Sequence, residues 1–109
     1  MPINYKVLGQ QAPGAATPAD LYTVPAATQA IISTITIANR GATATTYRVS
    51  VRPDGAVQAT KHYLAYDVTI QANQTDTLTL GITLDAGDVV TVYSASANCS
   101  FNAFGTEIT

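Results

Sequence analysis

The chain is short of charge: Asp, Glu, Lys and Arg make up 11% of its 109 residues, against about 25% in an ordinary soluble domain. Five bases are scattered singly among seven acids, so no basic stripe offers the electrostatic footprint that nucleic acid requires. One cysteine, Cys99, excludes an intrachain disulfide and with it the small bridge-stapled secreted scaffold. Tryptophan is absent. No run approaches the ~18 apolar residues of a membrane span, and the first residues, Met-Pro-Ile-Asn-Tyr-Lys-Val-Leu-Gly, carry no apolar signal core. The expectation is a protein made in a cytoplasm, neither exported by a signal peptide nor inserted in a membrane.

Catalytic chemistry is thin for the same reason. The single histidine, His62, has no second histidine or nearby cysteine to complete a metal set. The single glutamate, Glu107, has no acid partner close in sequence, as glycoside hydrolysis would need across a cleft. No Gly-x-Ser-x-Gly elbow supports nucleophilic catalysis. Asp85 and Asp88 share one turn, where solubility and turn chemistry account for them, and the spacing of a calcium loop is missing. Two Asn-x-Ser/Thr matches, at Asn73 and Asn98, are what chance gives in a chain so rich in Ser and Thr. No catalytic residue, metal site or cofactor is expected.

What is present is β-pattern. Residues 30–52 hold a β-branched run, the break Asn39-Arg40-Gly41 and a second run. They read as an antiparallel hairpin with Ile31, Ser33, Ile35, Ile37, Tyr47, Val49 and Val51 on the inner face. Thr34, Thr36, Arg48, Ser50 and Arg52 take the outer one. Residues 3–8 form a short strand ended by Gly9. Residues 10–19, with Pro13, Gly14 and Pro18, resist helix and central strand and read as an extended arm or a solvated connection. A strand over 20–24 stops at Pro25. Residues 62–70 place His62, Leu64, Tyr66, Val68 and Ile70 inward, with Tyr63 and Asp67 outward. Leu78, Leu80, Ile82 and Leu84 keep one parity through a bend at Gly81. Val90 and Val92 mark the next strand, and the last, over 98–108, carries Cys99, Phe101 and Ala103 or, with a bulge near Gly105, Phe104 and Ile108.

About seven or eight strands with turns roughly ten residues apart, and no helical window, predict an all-β fold. The expected architecture is a single antiparallel β-sandwich over residues 1–109, Ig-like or jelly-roll. One such domain buries roughly two-thirds of its unfolded surface. A neutral, Thr-rich exterior suits a protein covered by copies of itself or by a larger assembly. Arg48 and Arg52, on one strand face, are placed to pin a partner at two points. Tyr63, with Tyr22 and Tyr93, offers an aromatic platform of the kind that receives sugar rings, although packing is the commoner use of tyrosine.

The segments Tyr5-Lys6-Val7-Leu8-Gly9, Leu21-Tyr22-Thr23-Val24-Pro25-Ala26, Ser33-Thr34-Ile35-Thr36-Ile37-Ala38-Asn39, Lys61-His62-Tyr63-Leu64-Ala65-Tyr66 and Leu84-Asp85-Ala86-Gly87-Asp88 are spread along nearly the full chain. They resemble small virion structural proteins of tailed bacteriophages, cyanophages in particular. The resemblance rests on strand and turn patterns and implies a non-enzymatic β-sandwich carried in many copies on a virion. It implies a capsid decoration (cement) protein, homotrimeric or otherwise homo-oligomeric, bound to a major capsid protein. The alternatives are a tail, neck or fibre component, and a carbohydrate-binding or adhesin module. Neither nucleic acid nor membrane is an expected partner. Thr34, Thr36, Arg48, Arg52 and Tyr63 are the expected subunit interface.

Overall fold

The β-branched runs become strands as their alternation requires, and the computed structural model, which describes residues 2–109, contains nine of them. They are β1 (Ile3–Gln11), β2 (Ala19–Thr23), β3 (Gln29–Asn39), β4 (Thr45–Arg52), β5 (Tyr63–Ile70), β6 (Thr75–Leu78), β7 (Ile82–Leu84), β8 (Val89–Ser94) and β9 (Cys99–Ile108). One sheet runs β1-β9-β3-β6, with β7 also on β3, and the other runs β2-β8-β4-β5. Every pairing is antiparallel. With β6 and β7 counted as one broken strand, the first element pairs the last, the second the next to last, and so inward to β4 and β5. That nesting is one long hairpin rolled into two sheets, the jelly-roll form of the β-sandwich.

The core lies between the sheets, where Ile32, Ile35, Ile37, Phe101 and Ala103 meet Tyr47, Val49, Val90 and Val92, all almost fully buried. The β3–β4 hairpin is a correction to the sequence reading. β3 belongs to the first sheet and β4 to the second, so residues 40–44 cross between layers. Two strands that each carry a full apolar face bury both faces better by facing each other than by lying side by side. Gly9 does not end β1 either, since the strand runs on to Gln11 through an irregularity between Val7 and Gly9. Residues 10–19 take the connecting form: Gln10 and Gln11 complete β1, Ala19 opens β2, and the stretch between them changes sheets.

Two further corrections come from β-bulges, each of which inverts the parity that a strict period of two would give. In β3 the register slips between Ile32 and Thr34. Ile32 therefore takes the buried place expected for Ile31, which is 39% exposed, while Ile35 and Ile37 are inside as expected. In β5, Arg48 of β4 stands opposite the pair Tyr66-Asp67, with Asp67 at φ 50°. Val68 and Ile70 still pack inward, but Leu64 and Tyr66 turn out to 47% and 56% exposure. Leu80 is also exposed, because the chain breaks at Gly81, φ +64°, between β6 and β7.

Polar groups that enter the sandwich are paired, and among the described residues no buried side-chain nitrogen or oxygen lacks a partner. Tyr22 of β2 donates to Glu107 of β9 at 2.6 Å, and Tyr47 of β4 donates to Asp76 of β6 at 2.9 Å. Each bond joins one sheet to the other. At the β3–β4 crossing Asn39, buried, donates through Nδ2 to the carbonyls of Thr43 (2.9 Å), Gln71 (3.1 Å) and Ile70 (3.3 Å), and its Oδ1 accepts from the Gly41 amide. Close backbone approach sets two glycines: a Cβ on Gly105 would lie 2.0 Å from the Ile31 carbonyl oxygen, and one on Gly9 1.9 Å from that of Leu21.

Asn39→Ala removes the donor from the buried Ile70 carbonyl and the part-buried Thr43 and Gln71 carbonyls, and is expected to cost about 2–3 kcal/mol of unfolding free energy in a urea titration. Asn39→Asp, which keeps the acceptor and loses the donor, recovers little of it.

Candidate functional site

The outer face of the β2-β8-β4-β5 sheet is hollow because its centre carries small side chains. Register lines up Asp20 (β2), Thr91 (β8), Ser50 (β4) and Tyr63 (β5) across the four strands. Along β4 the same face carries Arg48, Ser50 and Arg52, with Tyr93 of β8 beside Arg48. Ser50 and Thr91, both buried, make a low polar floor between taller walls. Ala16 and Pro18 from the β1–β2 connection and Gln58 from the β4–β5 connection raise the rim around a cavity of about 310 Å³.

Each polar wall is held in place. The Arg48 guanidinium lies 4.3 Å from the ring centroids of both Tyr66 and Tyr93 and forms a two-pronged bond to Asp67 at 2.6 and 3.3 Å. Chiefly through the Asp67 bonds, its pKa is raised further above its already high value. Tyr63 packs edge-on against Tyr66 at 4.8 Å. Arg52 donates to Thr91 Oγ1 at 3.0 Å, to Asp20 at 3.1 Å and to the carbonyls of Gly55 and Ala56, closing the Pro53–Gly55 turn onto the sheet. Ser50 donates to Gln58 Oε1 at 2.8 Å and Thr91 to Asp20 at 3.2 Å. The cavity is therefore preorganised, with each arginine matched by one carboxylate.

Of the residues expected to share an interface, Arg48, Arg52 and Tyr63 meet around this cavity. Thr34 and Thr36 do not. They lie on the outer face of the other sheet, because β3 and β4 belong to different layers. The expected aromatic platform is also recomposed: Tyr63 and Tyr93 are on it, Tyr22 is buried against Glu107, and Tyr66 joins them. Sequence reasoning missed Tyr66, since the Asp67 bulge that exposes it has no local signal beyond an aspartate, a residue that tolerates positive φ. It also missed Thr91, which gains its role through register, and Gln58, which reaches the cavity through its bond from Ser50.

The outer face of the β1-β9-β3 sheet differs in kind. Register places Ile3, Tyr5 and Val7 of β1 beside Ile108, Thr106 and Phe104 of β9, and these beside Gln29, Ile31 and Thr34 of β3. Ile3, Tyr5, Val7, Ile31 and Phe104 are exposed, Tyr5 by 83%. None of the chain's twelve charged side chains, five basic and seven acidic, projects from these strands on this face. Lys6, Asp76 and Glu107 have the opposite parity. Arg48, Arg52, Asp20 and Asp67 belong to the other sheet, and Asp54, Lys61, Asp85 and Asp88 to turns between strands. Only Arg40 touches the end of the face, through its bond to Ser100 Oγ at 2.8 Å.

The remaining titratable groups serve the fold. His62 accepts the Ala59 amide at Nδ1, 3.0 Å, within a short turn at the start of β5. Asp88 accepts the amides of Asp54 and Asp85 and ties two turns together. Among the described residues no three His, Cys, Asp or Glu side chains gather as metal ligands would. Glu107 is held below the usual carboxylate pKa, first by the Tyr22 hydroxyl and then by Lys6 at 3.0 Å. Burial, followed by the Glu107 bond, pushes the Tyr22 hydroxyl well above its ordinary range. No protein-family model matches the chain, and no curated protein matches it in sequence.

The lowered Glu107 pKa makes the unfolded state bind more protons than the folded one across the carboxylate range. Its stabilisation is accordingly complete above the unfolded value, about 4.3, and lost as pH falls through the lower folded value. Glu107→Gln is expected to unfold at lower urea than wild type at pH 7, with the gap shrinking steadily as pH is taken below about 4.3.

Proposed function

We propose that this protein is a non-enzymatic structural subunit of a tailed-phage virion, a capsid decoration protein that works by covering surface with surface. The observation that carries the assembly part of this reading is the uncharged, apolar outer face of the β1-β9-β3 sheet. Large exposed apolar patches on soluble proteins mark interaction sites. A face without charges can pack on its own copy without burying an unpaired ion, whose cost is several kcal/mol. Three strands about 4.8 Å apart and roughly ten residues at about 3.3 Å each give a footprint of roughly 480 Å². That is of the order of the ~800 Å² per partner in a specific interface. The occupant of this face is a second copy of the chain.

The virion part of the reading rests on the resemblance of strand and turn segments to phage structural proteins. The jelly-roll order agrees with it at the level of fold analogy alone, since viral coat domains use that order among many others. In this reading the homo-oligomer sits on the capsid lattice and adds buried interface to the shell, with the major capsid protein as its partner. A tail, neck or fibre subunit would use the same face in the same way and differs in copy number.

Tyr5→Glu combined with Phe104→Glu places charge on the face at exposed positions, so the fold and its melting temperature are expected to persist. Wild type should run as a homo-oligomer in native mass measurement at micromolar concentration. The double variant should be monomeric and fail to attach to particles. A wild type that stays monomeric and leaves capsids bare would sink the proposal. Hundreds of copies per purified particle support decoration, whereas tens or fewer move the assignment to the tail.

A further inference from the structure

The cavity on the β2-β8-β4-β5 sheet lies on the opposite face from the proposed assembly surface. We infer that it is a binding site for one neutral pyranose ring, such as the terminal hexose of a glycan. This inference stands independently of the virion reading and survives if that reading fails.

Three features select the ligand class. The cavity, about 310 Å³, is at the small end of the ~300–1,000 Å³ typical of ligand pockets, which suits one ring rather than an extended chain. Its charges cancel: Arg48 is paired with Asp67 and Arg52 with Asp20, so an anion would have to compete with carboxylates already seated. Its walls offer both halves of what a sugar presents. Tyr63 and Tyr93 supply aromatic surface for a C–H face, and the floor and rim supply hydroxyl, amide and carboxylate groups for the ring hydroxyls.

The Asp20 carboxylate is half free for this purpose. Its bonds to Arg52 and Thr91 both use Oδ1, and Oδ2 takes part in neither. With its side chain 57% exposed, Asp20 can accept from a sugar hydroxyl while still orienting Arg52. An aliphatic ligand is disfavoured, because it would cover the Ser50 and Thr91 floor without replacing water on the polar rim.

The test is an amide chemical-shift titration of the intact protein with the methyl glycosides of glucose, galactose, mannose and N-acetylglucosamine, and separately with sodium sulfate. The expected result is saturable shifts for at least one glycoside, in the millimolar range typical of few-contact ligands, at Ser50, Gln58, Tyr63, Thr91 and Tyr93. Tyr63→Ala should weaken that binding roughly tenfold, and Tyr63→Phe, which keeps the ring, should stay close to wild type. If Tyr63→Ala does not fold, Gln58→Ala, at an exposed connection, takes its place and should also weaken binding. The inference is overturned by the absence of saturable shifts with every glycoside, by shifts that map elsewhere, or by saturable shifts with sulfate alone.

Discussion

Both outer faces of this protein depend on one seam, the apolar layer shared by Ile35, Ile37 and Phe101 of one sheet and Tyr47, Val49, Val90 and Val92 of the other. A sheet with a bare apolar face is not stable alone, so each sheet exists because the other covers it. Tyr47 shows how tightly the seam is specified. Its ring packs edge-on against Phe101 at 6.4 Å, and its hydroxyl, pushed into the interior, finds Asp76 on the far sheet. Tyr22 and Glu107 repeat the device with a different pair of strands. In both, a tyrosine from the second sheet brings an apolar ring into the seam and donates to a carboxylate of the first, so a polar group enters without being left unpaired.

Once the seam is made, the outer faces are free to diverge, and they do. Charge in this chain is scarce and also segregated. The second sheet takes the paired arginines and aspartates, and they stiffen the walls of a cavity. The first sheet keeps a face of Ile, Val, Tyr, Phe and Thr. Tyr5 stands 83% exposed beside Ile3 and Val7, and the proposed burial against a second copy would cover it. The cavity has the complementary economy: its arginines are already neutralised within the molecule, so the site is shaped and polar without being charged.

Much of the fold was legible in the sequence. The all-β class, the inward set Tyr47, Val49, Val90, Val92, Cys99, Phe101 and Ala103, and the turns at Pro53-Asp54-Gly55 and Asp85-Ala86-Gly87-Asp88 all follow from alternation and turn chemistry. The strands number nine against the expected seven or eight, because Gly81 breaks one run into β6 and β7. Less of the candidate site was. Arg48, Arg52 and Tyr63 were legible as outward residues of two strands, yet Tyr66 was read as core and Thr34 and Thr36 as neighbours of the arginines. Those misplacements have two causes. A bulge at Asp67 or near Ser33 inserts one residue and reverses the side chains next to it until another register shift intervenes, and the hop from β3 to β4 replaces a side-by-side pair with a face-to-face one.

The sequence by itself determined which segments are strands and which residue types each can turn inward, because period two and turn propensity are properties of a few consecutive residues. Only the tertiary structure decided which sheet each strand joins, where the register slips, and hence which outward residues become neighbours. Those choices are settled by burial of the whole seam at once, through contacts between residues as far apart as Tyr22 and Glu107. An uncharged face on one side and an arginine-walled cavity on the other are consequences of that global packing, written in no single stretch of the chain.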